Sequence, residues 1–209
     1  MYIVIMSKGG ISVSQQHSAM SVEEAIRGRR SVGKVKQDPL DRKQIESLLE
    51  AASWAPNHHV TEPWRFFVMT GAGRQVLADA YRDIAAESCR DLPAEEGEAM
   101  CRKQADKAFR APVVIAAAVS PSAAAGVDRM EEFAAVHAAV QNMLLAAYSM
   151  GLGAIWRSGA PAYHPRMRQA FGLSEEEHIV GLVYVGYPAA PRQPGKRQPA
   201  ASKTVWITE

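Results

Sequence analysis

Four short stretches of this chain gather the side chains that could do chemistry. Arg27-Gly28-Arg29-Arg30-Ser31 sets adjacent arginines before a serine. A guanidinium is a planar fork of donors that matches phosphate oxygens. The competing reading is a solvated helix C-terminus, where the backbone dipole favours cations. Ala55-Pro56-Asn57-His58-His59-Val60-Thr61-Glu62-Pro63-Trp64 is a loop dense in hydrogen-bonding groups. No HxxxH spacing or spaced carboxylate accompanies its two histidines, which disfavours zinc. It reads equally as a set of contacts to a polar ligand or as a plain connection. Gly153 to Ala160 carries Ile155, Trp156, Arg157 and Ser158 up to Gly159. A glycine lets backbone approach a ligand closely, although a strand end with a packed Trp and an exposed Arg gives the same pattern. Gly195-Lys196-Arg197-Gln198-Pro199 is basic, as solubilising arms also are.

Singly, these stretches mean little. The first, third and fourth share one property: each sets cations beside small or hydroxyl residues. One phosphate-bearing ligand would account for all three. Other chemistries find no support. Gly151-Leu152-Gly153 lacks the third glycine of a dinucleotide fingerprint and follows a helical pattern rather than a strand. There is no Walker motif, and no Gly-x-Ser-x-Gly supplies a hydrolase nucleophile.

The elements that must position these stretches are legible in outline. Ser21 and Glu24 fit a capping box that opens a helix to about Arg29. Ile45, Leu48, Leu49 and Ala52 recur at helical spacing over about 41–53, with Pro56 as the stop. Arg65 to Thr70 is a strand between Pro63 and Gly71. Gly73 to Ser88 predicts a helix, Leu92 to Glu98 a charged loop, and a further helix ends before Pro112. Val113 to Val119 and Ile179 to Val185 are continuous apolar runs, suited to strands buried on both faces. Between them lie an Ala-rich helix from Asp128 to Met150, a short strand Ala154 to Trp156, and a helix His164 to Phe171. The long helix is a candidate for the core or for a dimer interface. Glu175 to Glu177 predict a solvated helix start. After Pro188 a Pro/Gly-rich arm ends in β-like Thr204 to Thr208, which pairing with another chain's sheet edge would satisfy.

The 209 residues suit one α/β domain, and 47% hydrophobic with 22% charged residues is the globular norm. A net charge of +2 gives no reason to expect nucleic acid. Cys89 and Cys101, outside any CxxC motif, read as free thiols in a reducing, cytoplasmic setting. Residues 1–19 read as a flexible extension or the product of an upstream start, with Met20 opening the single domain 20–209. The apolar run Ala134 to Trp156 carries His137, Gln141 and Asn142, which are costly in lipid, so no membrane segment is expected.

Together, and in this order, Arg-Arg-Ser, Ala-Pro-Asn-His-His with Glu-Pro-Trp-Arg-Phe-Phe, Ile-Trp-Arg-Ser-Gly and Lys-Arg-x-Pro resemble the nitroreductase family, most closely its small bacterial NAD(P)H branch. The resemblance covers residues 20–209. It implies an α+β fold, a three-layer sandwich with a mixed, mostly antiparallel sheet flanked by helices. It implies an intertwined homodimer with exchanged C-terminal arms and FMN at the interface. Arg29, Arg30 and Ser31 would hold the FMN phosphate and ribityl chain or the ring edge. Trp54 and His58 would contact FMN from the loop. Ile155, Trp156, Arg157 and Ser158 would lie beside the ring, and Lys196 and Arg197 would add charge at the phosphate. Ala146, Ala147, Tyr148, Ser149, Met150 and Gly151 would contact NAD(P). The implied activity is ping-pong hydride transfer from NADH or NADPH, through FMN, to a small acceptor such as a nitroaromatic or quinone. No protein acid or base is required, and Arg157 or Arg30 is the candidate for stabilising charge. The same fold also serves reductive dehalogenation and other flavin chemistry, for which Asp91 to Lys103 could form a lid, or a non-catalytic FMN-binding module. One departure stands out: Val60 and Glu62 occupy positions where many relatives carry Asn and Gln.

Overall fold

The computed structural model describes residues 20–208. The expected extension 1–19 lies outside the described residues. In chain order the elements are α1 (Val22–Gly28), α2 (Arg42–Ser53), β1 (Trp64–Thr70), α3 (Gln75–Ser88), α4 (Ala94–Ala105), β2 (Val113–Val119), α5 (Arg129–Ser149), β3 (Gly153–Arg157), α6 (Ala160–Tyr163), α7 (Pro165–Ala170) and β4 (His178–Gly186).

The alternation of side chains along β2 decides the architecture. All seven of its residues are buried. Val113, Ile115, Ala117 and Val119 pack with Ile45, Leu48 and Ala52 of α2 and Val136, Val140 and Met143 of α5. Val114, Ala116 and Ala118 pack with Leu77, Ala78 and Tyr81 of α3, Ala162 of α6 and Met167 of α7. A strand with two apolar faces needs a layer on each side, and the result is the expected three-layer α+β sandwich. Full burial of each large aliphatic side chain contributes roughly 1.5–3 kcal/mol.

The strand order is β1-β2-β4-β3. All three pairings are antiparallel; the only parallel element among the described residues is a single bridge between Ser31 and Ala154. Ala118 pairs with Ile179 but Ala117 pairs with Gly181, so Val180 is an extra residue. This bulge reverses the alternation along β4: Val180 and Val183 face the α2/α5 layer, Ile179 and Leu182 the other.

The helix signals hold at α1, where Ser21 and Glu24 form the complete capping box, and at α5, where Asp128 accepts from Met130 N. Two expectations need correction. The charged loop over Leu92 to Glu98 is largely helix, because Pro93 stands at the N-cap of α4, where a missing N–H costs nothing. Gly97 is buried against Cys89, seating α4 on α3. Asp91 to Lys103 is therefore not a loop that could form a lid. Glu175 to Glu177 start no helix; Glu177 is buried and accepts from Ser174 N at 2.9 Å and from Arg65 Nη1 at 2.6 Å. Thr204 to Thr208, expected to pair with another chain, has no strand partner within its own chain, and Val205, Trp206 and Ile207 stand exposed.

Candidate functional site

After α1 the chain turns and runs beside β3. Val32 N donates to Ala154 O at 2.9 Å next to the Ser31–Ala154 bridge. This strip abuts the Arg29–Ser31 stretch and the Ile155–Ser158 stretch. A Cβ on Gly33 would lie 3.6 Å from Arg157 Nη2 and 3.8 Å from Ile155 Cδ1. The C-terminal arm then follows the same strip. Lys36 N donates to Tyr187 O at 2.8 Å and Ala189 N to Lys34 O at 3.1 Å. Arg192 donates to Leu152 O at 2.9 Å and lies 4.5 Å over the Tyr148 ring. Gly195 rests against the Arg30 guanidinium. Arg29 holds its proton less tightly than usual, first because of burial and then because Arg197 and Arg30 stand near it. Three of the four stretches thus converge.

The convergence is one-signed. Among the described residues no ion pair joins a carboxylate to Arg29, Arg30, Arg157, Arg192, Lys196 or Arg197. The Nε atoms of Arg30, Arg157 and Arg192 are buried without a hydrogen-bond partner. Buried donors without acceptors are costly, and an anionic ligand with several acceptor oxygens would relieve that cost.

The two faces of β3 differ. Trp156 points to the α5 side, its ring 5.5 Å from that of His137. Arg157 points to the other side, 5.6 Å over the Tyr184 ring. There a cavity of about 130 Å³ is lined by Arg157, Ser158, Lys107, Arg110, Tyr81 and Tyr184. The hydroxyls of Tyr81 and Tyr184 lie 3.1 Å apart, and burial pushes both phenols up. Burial pushes the Lys107 ammonium down, reinforced by Arg110, Arg157 and Lys103. Lys107 and Arg110 escaped the sequence reading. Their only signal was two cations in Asp-Lys-Ala-Phe-Arg just ahead of a buried strand.

Trp54 and His58 are not part of this convergence. Trp54 is exposed and donates to Glu50 at 2.9 Å. His58 pairs with Glu131 and stacks on His59 at 4.0 Å between centroids. Their loop leads into β1 at one sheet edge while the strip borders β3 at the other, roughly 14 Å away at the usual strand spacing. The loop is strained: His59, Val60 and Glu62 have φ of 57°, 54° and 46°. Thr61 anchors it to the buried Glu132 at 2.5 Å. Of Ala146 to Gly151, Ala147 is fully buried and Ala146 packs on the core. Tyr148 covers Gly28 and Arg192, and Ser149 bonds back to Ala146 O. Met150 packs on the core and Gly151 is exposed.

The family model described as "Nitroreductase family" matches residues 26–187, which takes in the strip, β3 and the whole sheet. The chain belongs to the nitroreductase family. A nitroreductase-family relative from Bacillus subtilis (strain 168), "Putative NAD(P)H nitroreductase YfhC", is 33% identical over 185 residues, 88% of this chain and 92% of that protein. The crystal structure of a nitroreductase-like family protein from Bacillus cereus superposes with a TM-score of 0.79 at 30% identity, covering 92% of this chain and 98% of the other. That of a "putative nitroreductase in complex with FMN" from Desulfovibrio desulfuricans gives 0.64 at 26% identity, covering 91% and 99%.

Proposed function

We propose that this nitroreductase-family chain is an FMN-dependent oxidoreductase. It takes hydride from NADH or NADPH and passes it to a small acceptor such as a nitroaromatic or quinone. The observation that carries the reading is the one-signed convergence along β3. Arg29, Ser31, Lys196 and Arg197 suit a phosphate, and Arg157 with Lys107 suits an electron-rich ring edge. The FMN bound in the Desulfovibrio relative carries both groups.

The residues fit such a ligand. Three buried guanidinium Nε atoms lack acceptors, and no carboxylate competes for the cluster among the described residues. FMN, when bound, supplies the centre that takes two electrons from the nucleotide and returns them to the acceptor. The chain's own part is to bind, orient and neutralise. Arg157, fixed over Tyr184, and Lys107 hold positive charge where negative charge develops, in a half-buried setting that strengthens it. No side chain need take up or release a proton for hydride delivery. Donor and acceptor would both react at the one flavin, so in this reading they bind in turn, the ping-pong order.

The working unit in this reading is a cytoplasmic homodimer. Val205, Trp206 and Ile207 are 83–88% exposed at the end of the arm. A hollow of about 580 Å³ lies between α2 and the edge strand β1, lined by Leu40, Ile45, Leu49, Val68 and Arg74. An apolar strand from a second copy would cover both liabilities. The same exchange would bring the partner's loop, carrying its own copies of Trp54 and His58, toward the β3 strip. The test is FMN uptake by the purified protein, followed by fluorescence quenching, with the oligomeric state read from sedimentation. Stoichiometric FMN on a dimer supports the reading. A chain that takes up no FMN overturns it.

A further inference from the structure

Among the described residues, the charges that meet along the distal arm repel. Up to Ala189 it is tied by backbone hydrogen bonds, and Arg192 adds one bond and a ring contact. Beyond that, the described contacts to the body are two. Gly195 lies on Arg30, so closely that a Cβ on residue 195 would stand 2.2 Å from the Arg30 Cζ. Arg197 stands near Arg29 and, after burial, disfavours its charge. Arg30 donates through Nη1 to Arg27 O at 2.7 Å and Arg29 O at 2.6 Å. Those bonds fix its plane across the end of α1 and make it the floor on which Gly195 sits.

We propose that Arg30 is a positioning residue and that Arg30 and Gly195 form a latch. The latch sets Arg197 opposite Arg29 so that a phosphate monoester closes the pair, and with it the arm. Binding of the phosphate and ordering of residues beyond 195 are then one event, because the anion removes the repulsion that opposes closure. Glycine suits 195 because a side chain there must either push the Arg30 guanidinium off its two carbonyl bonds or lift the arm, and either parts Arg197 from Arg29. The proposal rests on the flavin reading only for the identity of the phosphate carrier.

The test compares FMN with riboflavin, which has the ring without the phosphate. Gly195→Ala and Arg30→Ala each weaken FMN binding about tenfold, the scale of one charged hydrogen bond, and Gly195→Ala leaves riboflavin binding unchanged. The double variant is no weaker than Arg30→Ala alone, because both changes open one latch. Gly195→Ala lies in the exposed arm and keeps the test open if Arg30→Ala fails to fold. Trypsin cleavage after Arg197 in the wild type slows with FMN or inorganic phosphate and not with riboflavin. Losses that add, a neutral Gly195→Ala, or equal protection by riboflavin overturn the proposal. If neither flavin binds, the flavin reading falls by itself. Slowing of cleavage by inorganic phosphate then supports the latch, and unchanged cleavage overturns it.

Discussion

The indole of Trp156 lies directly against Gly181. Its Nε1 donates to Val180 O at 3.3 Å, and a Cβ on residue 181 would stand 1.8 Å from that nitrogen. The bulge at Val180 and the absent side chain at 181 together seat the indole on β4, and so set the face of β3 that Arg157 occupies.

Gly181→Ala therefore drives Trp156 off its seat. Overpacking of this kind costs about 1–3 kcal/mol. Thermal unfolding should shift down accordingly and FMN content should fall. An unchanged Tm with full flavin content would contradict this seating.

Arg157 and Lys107 should matter for the reduced state more than for the fold. Among the described residues neither is in an ion pair, and both line the cavity beside Ser158. Arg157→Ala and Lys107→Ala are each expected to slow anaerobic reduction about tenfold or more, the scale of one well-placed charge, and to loosen FMN. Stopped-flow reduction at wild-type speed, with unchanged flavin retention, would remove them from the site.

Glu177 sets the acid limit of the fold. The backbone N–H of Ser174 and then the Arg65 guanidinium hold its carboxyl at about 2, against 4.5 for an ordinary carboxyl. A carboxyl that is more acidic in the folded state contributes stability above about pH 4.5, and that contribution is lost as pH falls toward 2. Glu177→Gln should lower stability at neutral pH by roughly 1–2 kcal/mol, with the gap to wild type closing below pH 4.5. Denaturant midpoints across that range check it; a gap independent of pH would refute the assignment.

Val60 is a β-branched residue at φ 54°, and it is 78% exposed. Such a residue in the left-handed region costs about 1–3 kcal/mol, whereas Asn tolerates it. Val60→Asn should stabilise the chain by on the order of 1 kcal/mol, seen as a higher Tm. A lower Tm would mean that the isopropyl group has a packing role in the assembled protein.

Local signals carried further in this sequence than distant ones. β2 was legible to the residue because a run buried on both faces has no polar interruption. The α1 capping box was legible because both partners sit within four residues. The first turns of the helix over Ala94–Ala105 were hidden because Pro93 and Gly97 resemble breakers, whereas one stands at an N-cap and the other packs on Cys89. Glu177 resembled a solvated acid because its partner, Arg65, is 112 residues away. Lys107 and Arg110 acquire meaning only when β4 pairs with both β2 and β3 and they come to line one cavity with Arg157. The cations shared by three stretches pointed to one ligand, and in the structure Ser31 bridges to Ala154 and Gly195 lies on Arg30. The motifs could not reveal that Trp54 and His58 lie at the opposite edge of the same chain.

The most direct test of the central claim is an anaerobic titration of the FMN-loaded protein with NADH and NADPH, followed by a nitroaromatic or quinone. The account predicts that the flavin absorbance bleaches with one equivalent of nucleotide and returns when the acceptor is added. An FMN-loaded protein whose spectrum neither nucleotide changes would contradict it.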